Sequence, residues 1–207
     1  MNQQSLASKN GQKMGGTPMQ ELTDFSWADS IVREARETES LTVGITNASR
    51  KPCDTRTLFE LLAALSECMK VQNLSRRVLC VHLSSEEESE NSQTRIPVPQ
   101  RSAVGNWSTV TIPVSTTDEK TWEEDQLSSW LALWKEAFPI ILIDLGAIDS
   151  SASREIGRFT DGNYLLLGPQ GCGSLQWILH QVGRHQQHAS SICATLVANP
   201  ALAAEAA

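Results

Sequence analysis

Apolar residues recur along this chain with two different spacings. Where they return every three or four positions, the pattern predicts helices with one buried face, over 25–40, 55–73, 125–138 and 173–187. Short apolar runs between them favour buried strands, at 41–46, 78–83, 107–115, 139–146, 162–169 and 191–200. This alternation predicts an α/β fold of three layers, in which helices cover both faces of a doubly wound, mostly parallel sheet.

Polar segments mark the borders of the expected domain. Residues 1–22 are rich in Gln, Ser, Gly and Lys, which predicts a flexible N-terminal tail. Residues 23–200 are expected to form one domain that carries a charged surface loop over 86–106. The alanine-rich residues 201–207 are expected to form a C-terminal tail.

Ligands of doubly wound sheets bind at the carboxyl ends of the strands, so the loop after the first strong strand is the first candidate. The stretch "VGITNASRKPCDTRTLFELLAAL", residues 43–65, passes from a strand through a basic loop into a helix. Arg56 and Thr57 precede the helix as Lys and Ser/Thr do in a phosphate loop, and Lys51 offers a second cation. Cys53 and Thr55 stand where such a loop needs glycine. Both a capping turn and an altered phosphate loop fit this pattern.

Two further strand ends carry polar side chains. His82 follows the second strand, where a nucleotide hydrolase would place an aspartate. Asp144 follows four apolar residues in "IILID" and is the best candidate for a catalytic or magnesium-associated carboxylate. His185 and His188 have the spacing of a surface metal site, but a solvated helix face is the favoured interpretation.

Composition narrows the class of protein. The formal net charge of −7 argues against a general nucleic-acid binder, which would show a basic face. The five cysteines are dispersed without a CxxC pair, which predicts reduced thiols in a cytosolic protein. No apolar run approaches the ~20 residues that span a bilayer, so we expect a cytoplasmic protein that reaches the inner membrane only through a partner.

These segments together resemble the cytoplasmic domain of bacterial tyrosine kinases of exopolysaccharide synthesis, within the MinD/ParA-like group of P-loop ATPases. Their phosphate loop corresponds to residues 52–57, where both glycines and the lysine are replaced. Their acidic Asp-x-Asp strand end falls on His82-Leu83-Ser84, so both carboxylates are absent, whereas Asp144 is kept. The resemblance implies a P-loop NTPase-like fold.

The same resemblance assigns roles to further residues. It implies that Lys51, Arg56, Thr57 and Asn199 line a residual nucleotide site and that Thr57 and Asp144 would hold Mg²⁺ beside ATP. The helix "SIVREAR" corresponds to the family's Glu-x-x-Arg-x-x-Arg assembly helix, with Arg33 and Arg36 kept and Ser30 in place of the glutamate. The family's tyrosine-rich C-terminal tail has no counterpart, because the single tyrosine, Tyr164, lies in a predicted core strand.

The replaced glycines, lysine and carboxylates all belong to the residues that carry out phosphoryl transfer in this family. We therefore expect a catalytically degenerate relative that binds a membrane polysaccharide co-polymerase (a chain-length regulator) or an active kinase paralogue, with homo-oligomer formation also open. Two alternatives stay open: an active nucleotide-binding ATPase or tyrosine kinase with a deviant loop, and a MinD/ParA-like positioning protein.

Overall fold

A computed structural model describes residues 19–21, 25–51, 53–74, 77–84, 96–113, 124–168 and 174–197 of the chain. The described residues form five helices: α1 Ser26–Glu37, α2 Thr55–Val71, α3 Glu124–Ala137, α4 Ser151–Gly157 and α5 Leu175–Gln187. They also form eight strands: β1 Met19–Glu21, β2 Leu41–Asn47, β3 Val78–Ser84, β4 Gln100–Arg101, β5 Trp107–Pro113, β6 Ile140–Ala147, β7 Gly162–Leu167 and β8 Ile192–Val197.

The strands form one sheet in the order β1-β8-β7-β2-β6-β3-β5-β4. All neighbouring strands are parallel except β4, which pairs antiparallel with β5 at one edge. The predicted doubly wound, mostly parallel sheet is therefore confirmed. Because β2 lies between β7 and β6 near the middle, the loop that follows it is surrounded by the ends of other strands.

Both faces of the sheet are buried, as the apolar strands predicted. Alternate residues of β6 point to opposite sides: Ile140 and Leu142 pack with α1 and α2, whereas Ile141 and Ile143 pack with α3 and α4. The helix faces predicted from periodicity are buried at these positions: Trp27, Ala28, Ile31, Val32 and Ala35 in α1; Leu58, Leu61, Leu62, Leu65 and Met69 in α2; Leu127, Trp130, Leu131 and Trp134 in α3. The core thus has two halves separated by the sheet.

Two short strands at the sheet edges lie within segments that the sequence predicted to be a tail and a surface loop. Met19–Glu21, within the segment expected to be a tail, pairs with β8, and the rest of that segment lies outside the described residues. Gln100–Arg101, within the expected surface loop, pairs with β5, and the described part of that loop begins at residue 96. Edge strands of two or three residues carry too little pattern to be recognised in a sequence.

Two aromatic residues have environments that bear on the sequence analysis. Trp107, at the border of the polar loop, is buried and its ring centroid lies 5.9 Å from that of Phe59, so it belongs to the core. Tyr164 is half-buried on β7, and burial, with the charges of Glu34 and Cys193, raises its pKa to about 12. Trp122 lies outside the described residues.

The described residues contain no helix that is both long enough and apolar enough to cross a membrane. Cys53, Cys68, Cys80 and Cys193 are free cysteines in the structure, and Cys172 lies outside the described residues.

Candidate functional site

The loop between β2 and α2 stands at the carboxyl end of the sheet. It is held at its start by the Ala48 N–H, which donates to the Leu166 carbonyl on β7 (2.8 Å). Ser49 Oγ lies 3.1 Å from both the backbone N and the carbonyl O of Lys51, which makes a local turn. The loop ends at Asp54, the N-cap of α2. A strand, a polar turn and a helix therefore meet here as the sequence predicted.

The first turn of α2 is capped by the chain's own carboxylate. The Thr57 N–H donates to Asp54 Oδ1 (2.9 Å) and the Thr57 hydroxyl donates to Asp54 Oδ2 (2.7 Å). Partial burial acts to raise the pKa of Asp54, but the hydrogen bonds from Thr57 outweigh it and hold the pKa below its usual value. A negative charge thus already lies at the helix end where a phosphate would bind.

One of the two cations predicted for a phosphate site is paired with a carboxylate of its own helix. Arg56 Nε donates to Glu60 Oε1 one turn along α2 (3.1 Å), which turns its guanidinium along the helix surface. Lys51 is exposed, and its backbone N and O lie 3.1 Å from Ser49 Oγ. The structure therefore brings Thr57 to Asp54 and pairs Arg56 with Glu60, and the shared nucleotide site of Lys51, Arg56 and Thr57 stays a prediction.

Asp144 lies inside β6, three residues before the strand ends, and not at its terminus as the sequence suggested. A bulge follows it, since the register with β2 shifts between Ile45 and Thr46 and Gly146 adopts a φ of 72°. Gly146 is thus in a left-handed conformation that favours glycine, and its N–H donates to Asp144 Oδ1 (3.1 Å). Burial raises the pKa of Asp144, which the Gly146 bond and the charge of His82 offset only in part.

Two thiols lie near this carboxylate. Burial, followed by the charges of Asp144 and Asp54, raises the pKa of Cys53 to about 12, and burial also raises that of Cys80. His82 pairs in register with Asp144, and its Nε2 lies 3.6 Å from Cys80 Sγ. The thiols stay protonated at neutral pH, and no group of three or more His, Cys, Asp or Glu in the described residues could hold a metal ion.

Arg50 is a residue of this loop that the sequence analysis did not single out. Its Nε lies 4.0 Å from Asp149 Oδ2, and its guanidinium carbon lies 5.8 Å from the centroid of the Trp177 ring. It connects the loop to the β6–α4 connection and to α5. Its partners lie about a hundred positions away in the chain, so local sequence carries no signal for these contacts.

The histidine prediction is wrong for one residue. His185 is fully buried, whereas His188 is exposed as expected. The imidazole of His185 hydrogen-bonds polar groups of α4 and of the β6–α4 connection, so α5 turns this polar residue into the interior. Ser150 caps α4 by accepting from the Ser153 N–H (2.9 Å).

The remaining predicted residues lie on α1 or outside the described part of the chain. Arg33 and Arg36 are exposed on α1, and Arg33 Nη2 lies 3.5 Å from Ser30 Oγ. Asn199 and Pro52 lie outside the described residues. The prediction that Asn199 lines a nucleotide site therefore stays a prediction.

These features define an α/β protein whose central strand leads through a polar turn into a capped helix, at the position of a phosphate loop. Solved structures with this architecture are similar to it. The tyrosine kinase domain of BceF aligns with a TM-score of 0.57 at 11% identity, over 85% of this chain and 76% of that one. The kinase domain of the Escherichia coli tyrosine kinase Etk gives 0.57 at 15% identity, over 81% and 75%.

A third structure, the VpsO kinase domain, aligns with a TM-score of 0.55 at 13% identity and covers 84% of this chain and 95% of that domain. No protein-family model and no curated protein matches the sequence. At these identities the likeness is one of fold. The chain therefore has the fold of bacterial tyrosine kinase domains, as the sequence resemblance suggested.

Proposed function

We propose that this protein is a kinase-fold binding component of bacterial polysaccharide assembly or export that does not transfer phosphate. The fold that it shares with the BceF, Etk and VpsO kinase domains supports the assignment to bacterial polysaccharide assembly or export. The chemistry of its loop supports the loss of activity. The two supports are independent, since one concerns the whole sheet and the other a few side chains.

The observation that carries the proposal is the carboxylate of Asp54 on the first turn of α2. Its two hydrogen bonds from Thr57 engage a backbone donor and the hydroxyl that a magnesium nucleotide would need. A phosphate entering this position would meet a like charge and would have to displace the cap. The Asp54 carboxylate therefore occupies the position at which a phosphate would bind.

The surrounding residues do not restore the missing groups. Arg56 is paired with Glu60, and His82 and Ser84 occupy the strand end where two carboxylates would hold the metal. Because charge-stabilising groups act as a unit, and each is worth about 10²–10³ in rate, losing several leaves little phosphoryl transfer.

One observation favours a second candidate, a nucleotide-binding ATPase or kinase with a deviant loop. Asp144 remains half-buried at the carboxyl end of the sheet, and Arg50 and Lys51 supply cations on the neighbouring loop. In that case Asp144 and Thr57 would bind Mg²⁺ with ATP, and Thr57 would first have to leave Asp54.

The partner in this proposal is a membrane polysaccharide co-polymerase or an active kinase paralogue. The exposed arginines Arg33 and Arg36 of α1 are the proposed contact, or the contact between copies in a homo-oligomer. Their exposure and their position on the face of α1 away from the core support this role.

Enzyme assays test the proposal directly. The purified protein is incubated with ATP and Mg²⁺, and released phosphate and phosphotyrosine are measured beside an Asp144→Ala variant. We expect both proteins to give the same background signal. Activity in the wild type that is lost in the Asp144→Ala variant would overturn the proposal in favour of the second candidate.

A further inference from the structure

A buried polar network joins α4 to α5. Ser153 Oγ on α4 lies 3.4 Å from His185 Nε2 on α5, and His185 Nδ1 lies 3.0 Å from Ser190 Oγ. These three residues are 0% exposed. Ser153 directly precedes Arg154 and His185 directly follows Arg184, so the contact between the two helices brings both arginines into one region.

Arg184 belongs to one side of α5. Trp177, Gln181 and Arg184 follow one another at intervals of four and three residues, which places them along the same side of the helix. Gln181 is 5% exposed, and the guanidinium carbon of Arg50 lies 5.8 Å from the centroid of the Trp177 ring. This side of α5 therefore turns toward the β2–α2 loop and the interior.

Arg154 approaches the same region from α4. It is only 7% exposed although it is charged, and its Nη1 donates to the Asp149 carbonyl (2.9 Å). Burial, followed by the charge of Arg184, lowers the pKa of Arg154, and the charges of Glu155 and Asp149 offset this only in part. The two guanidinium groups are thus close enough to repel each other.

The described residues supply no counter-ion in contact with these two arginines. No carboxylate among them lies at ion-pair distance from Arg154 or Arg184, since Asp149 pairs with Arg50. In the same part of the chain, Arg154 has no hydrogen-bond partner besides the Asp149 carbonyl, and Arg184 has none. Because a buried charge is costly unless it is paired, these neighbouring cations favour an anion from outside the chain.

The chemistry of the two groups selects the kind of anion. A guanidinium presents N–H donors in a planar fork that matches two oxygens of a phosphate or a carboxylate. Two such forks carry two positive charges. A phosphate group carries a charge of about −1.5 to −2 at neutral pH and offers three acceptor oxygens, so it matches the pair better than a single carboxylate does.

We propose that Arg154 and Arg184 form an anion site between α4 and α5 that binds a phosphate group, as inorganic phosphate or as a phosphate monoester. The site is separate from the β2–α2 loop, because α2 and α4 pack against opposite faces of the sheet. It does not rest on the proposed function. Mg²⁺ bridges the terminal phosphates of ATP and neutralises part of their charge, so the magnesium nucleotide should not occupy this site.

The test measures binding of inorganic phosphate and of phenyl phosphate, a monoester, to the 207-residue chain by titration calorimetry at constant ionic strength. We expect saturable binding that is about tenfold weaker or more in Arg184→Gln, because charge-assisted hydrogen bonds are lost. Arg101→Gln is the matched control: it removes an exposed arginine at the far edge of the sheet and should bind like the wild type. Tighter binding of phenyl phosphate would assign the site to a phosphate carried on a larger molecule, and equal binding to the free ion.

A measurement on the wild type keeps the proposal falsifiable if the variant does not fold. The side-chain Nε–H resonances of Arg154 and Arg184 should shift in NMR spectra as phosphate is added, and resonances that stay in place would overturn the site. So would the absence of saturable binding, or binding that is lost in Lys51→Gln and kept in Arg184→Gln, which would locate it at the β2–α2 loop. An equal loss in Arg101→Gln would also overturn it, because the effect would then be one of net charge.

Discussion

Asp54, the N-cap of α2, is the residue of the loop on which the proposed function mainly depends. Its side chain accepts two hydrogen bonds from Thr57, and the Leu58 N–H donates to its carbonyl (3.1 Å) to close the first helical turn. Asp is among the preferred N-cap residues because it satisfies donors that have no partner within the helix. In the proposed function, this cap occupies the helix end at which a phosphate would otherwise bind.

Removing the cap tests its contribution to stability. We expect Asp54→Ala to lower the free energy of unfolding at pH 7 by about 1 kcal/mol, since this is the usual cost of losing an N-cap. The measurement is urea denaturation, with Asp54→Asn as the control that keeps the cap without the charge. An alanine variant as stable as the wild type would mean that the Thr57 contacts contribute nothing.

The pH dependence of this difference has a defined sign. Because the pKa of Asp54 is lowered in the folded state, its contribution is present above the unfolded value of ~3.9 and disappears as pH falls through the folded value. The wild type and Asp54→Ala should therefore differ at pH 7 and converge in strong acid. A difference that is constant over this range would contradict the assignment.

At the scale of elements, β2 depends on close packing against its neighbours. A Cβ at Gly44 would overlap Asn163 Oδ1 and Leu145 Cδ1, so the strand needs a residue without a side chain there. The same Asn163 donates to the Gly157 carbonyl (2.8 Å) and to Ser190, which anchors the polar network. A small residue in the central strand thus makes room for a buried hydrogen-bonding side chain.

Two glycine substitutions should have opposite effects. Gly44→Ala is expected to lower stability by about 1–3 kcal/mol, because overpacking forces its neighbours to move. Gly183→Ala, in open space within α5, should raise it by about 0.5–1 kcal/mol through helix propensity. Thermal or urea unfolding measures both, and a Gly44→Ala variant at least as stable as the wild type would contradict the packing described for β2.

The elements also show what could be predicted from the sequence. Helices α1, α2 and α3 were predictable because their apolar spacing records one buried face. The burial of His185 was not, since its partners Ser153 and Ile148 are 32 and 37 positions away and only the tertiary fold brings them together. The candidate loop was located from its flanking strand and helix, but the pairing of Arg56 with Glu60 and of Arg50 with Asp149 required coordinates.

At the scale of the whole molecule, a sheet with the fold of tyrosine kinase domains carries a loop that ends in the Asp54 cap of α2. The strand order surrounds the loop after β2 with neighbouring strand ends, which is where such folds bind ligands. The loop itself places the Asp54 carboxylate on the first turn of α2, and Arg56 pairs with Glu60. The fold of the kinase domains is thus present, and the proposed function rests on the chemistry of this loop.

Titration calorimetry of the 207-residue chain with ATP and Mg²⁺, paired with thermal unfolding in the same buffer, tests most directly whether the loop has lost nucleotide binding. The account predicts no saturable heat and no change in the unfolding midpoint. A saturable heat would contradict it, if accompanied by the ~2.7 kcal/mol of stabilisation expected at a hundred times the dissociation constant and abolished by Asp144→Ala.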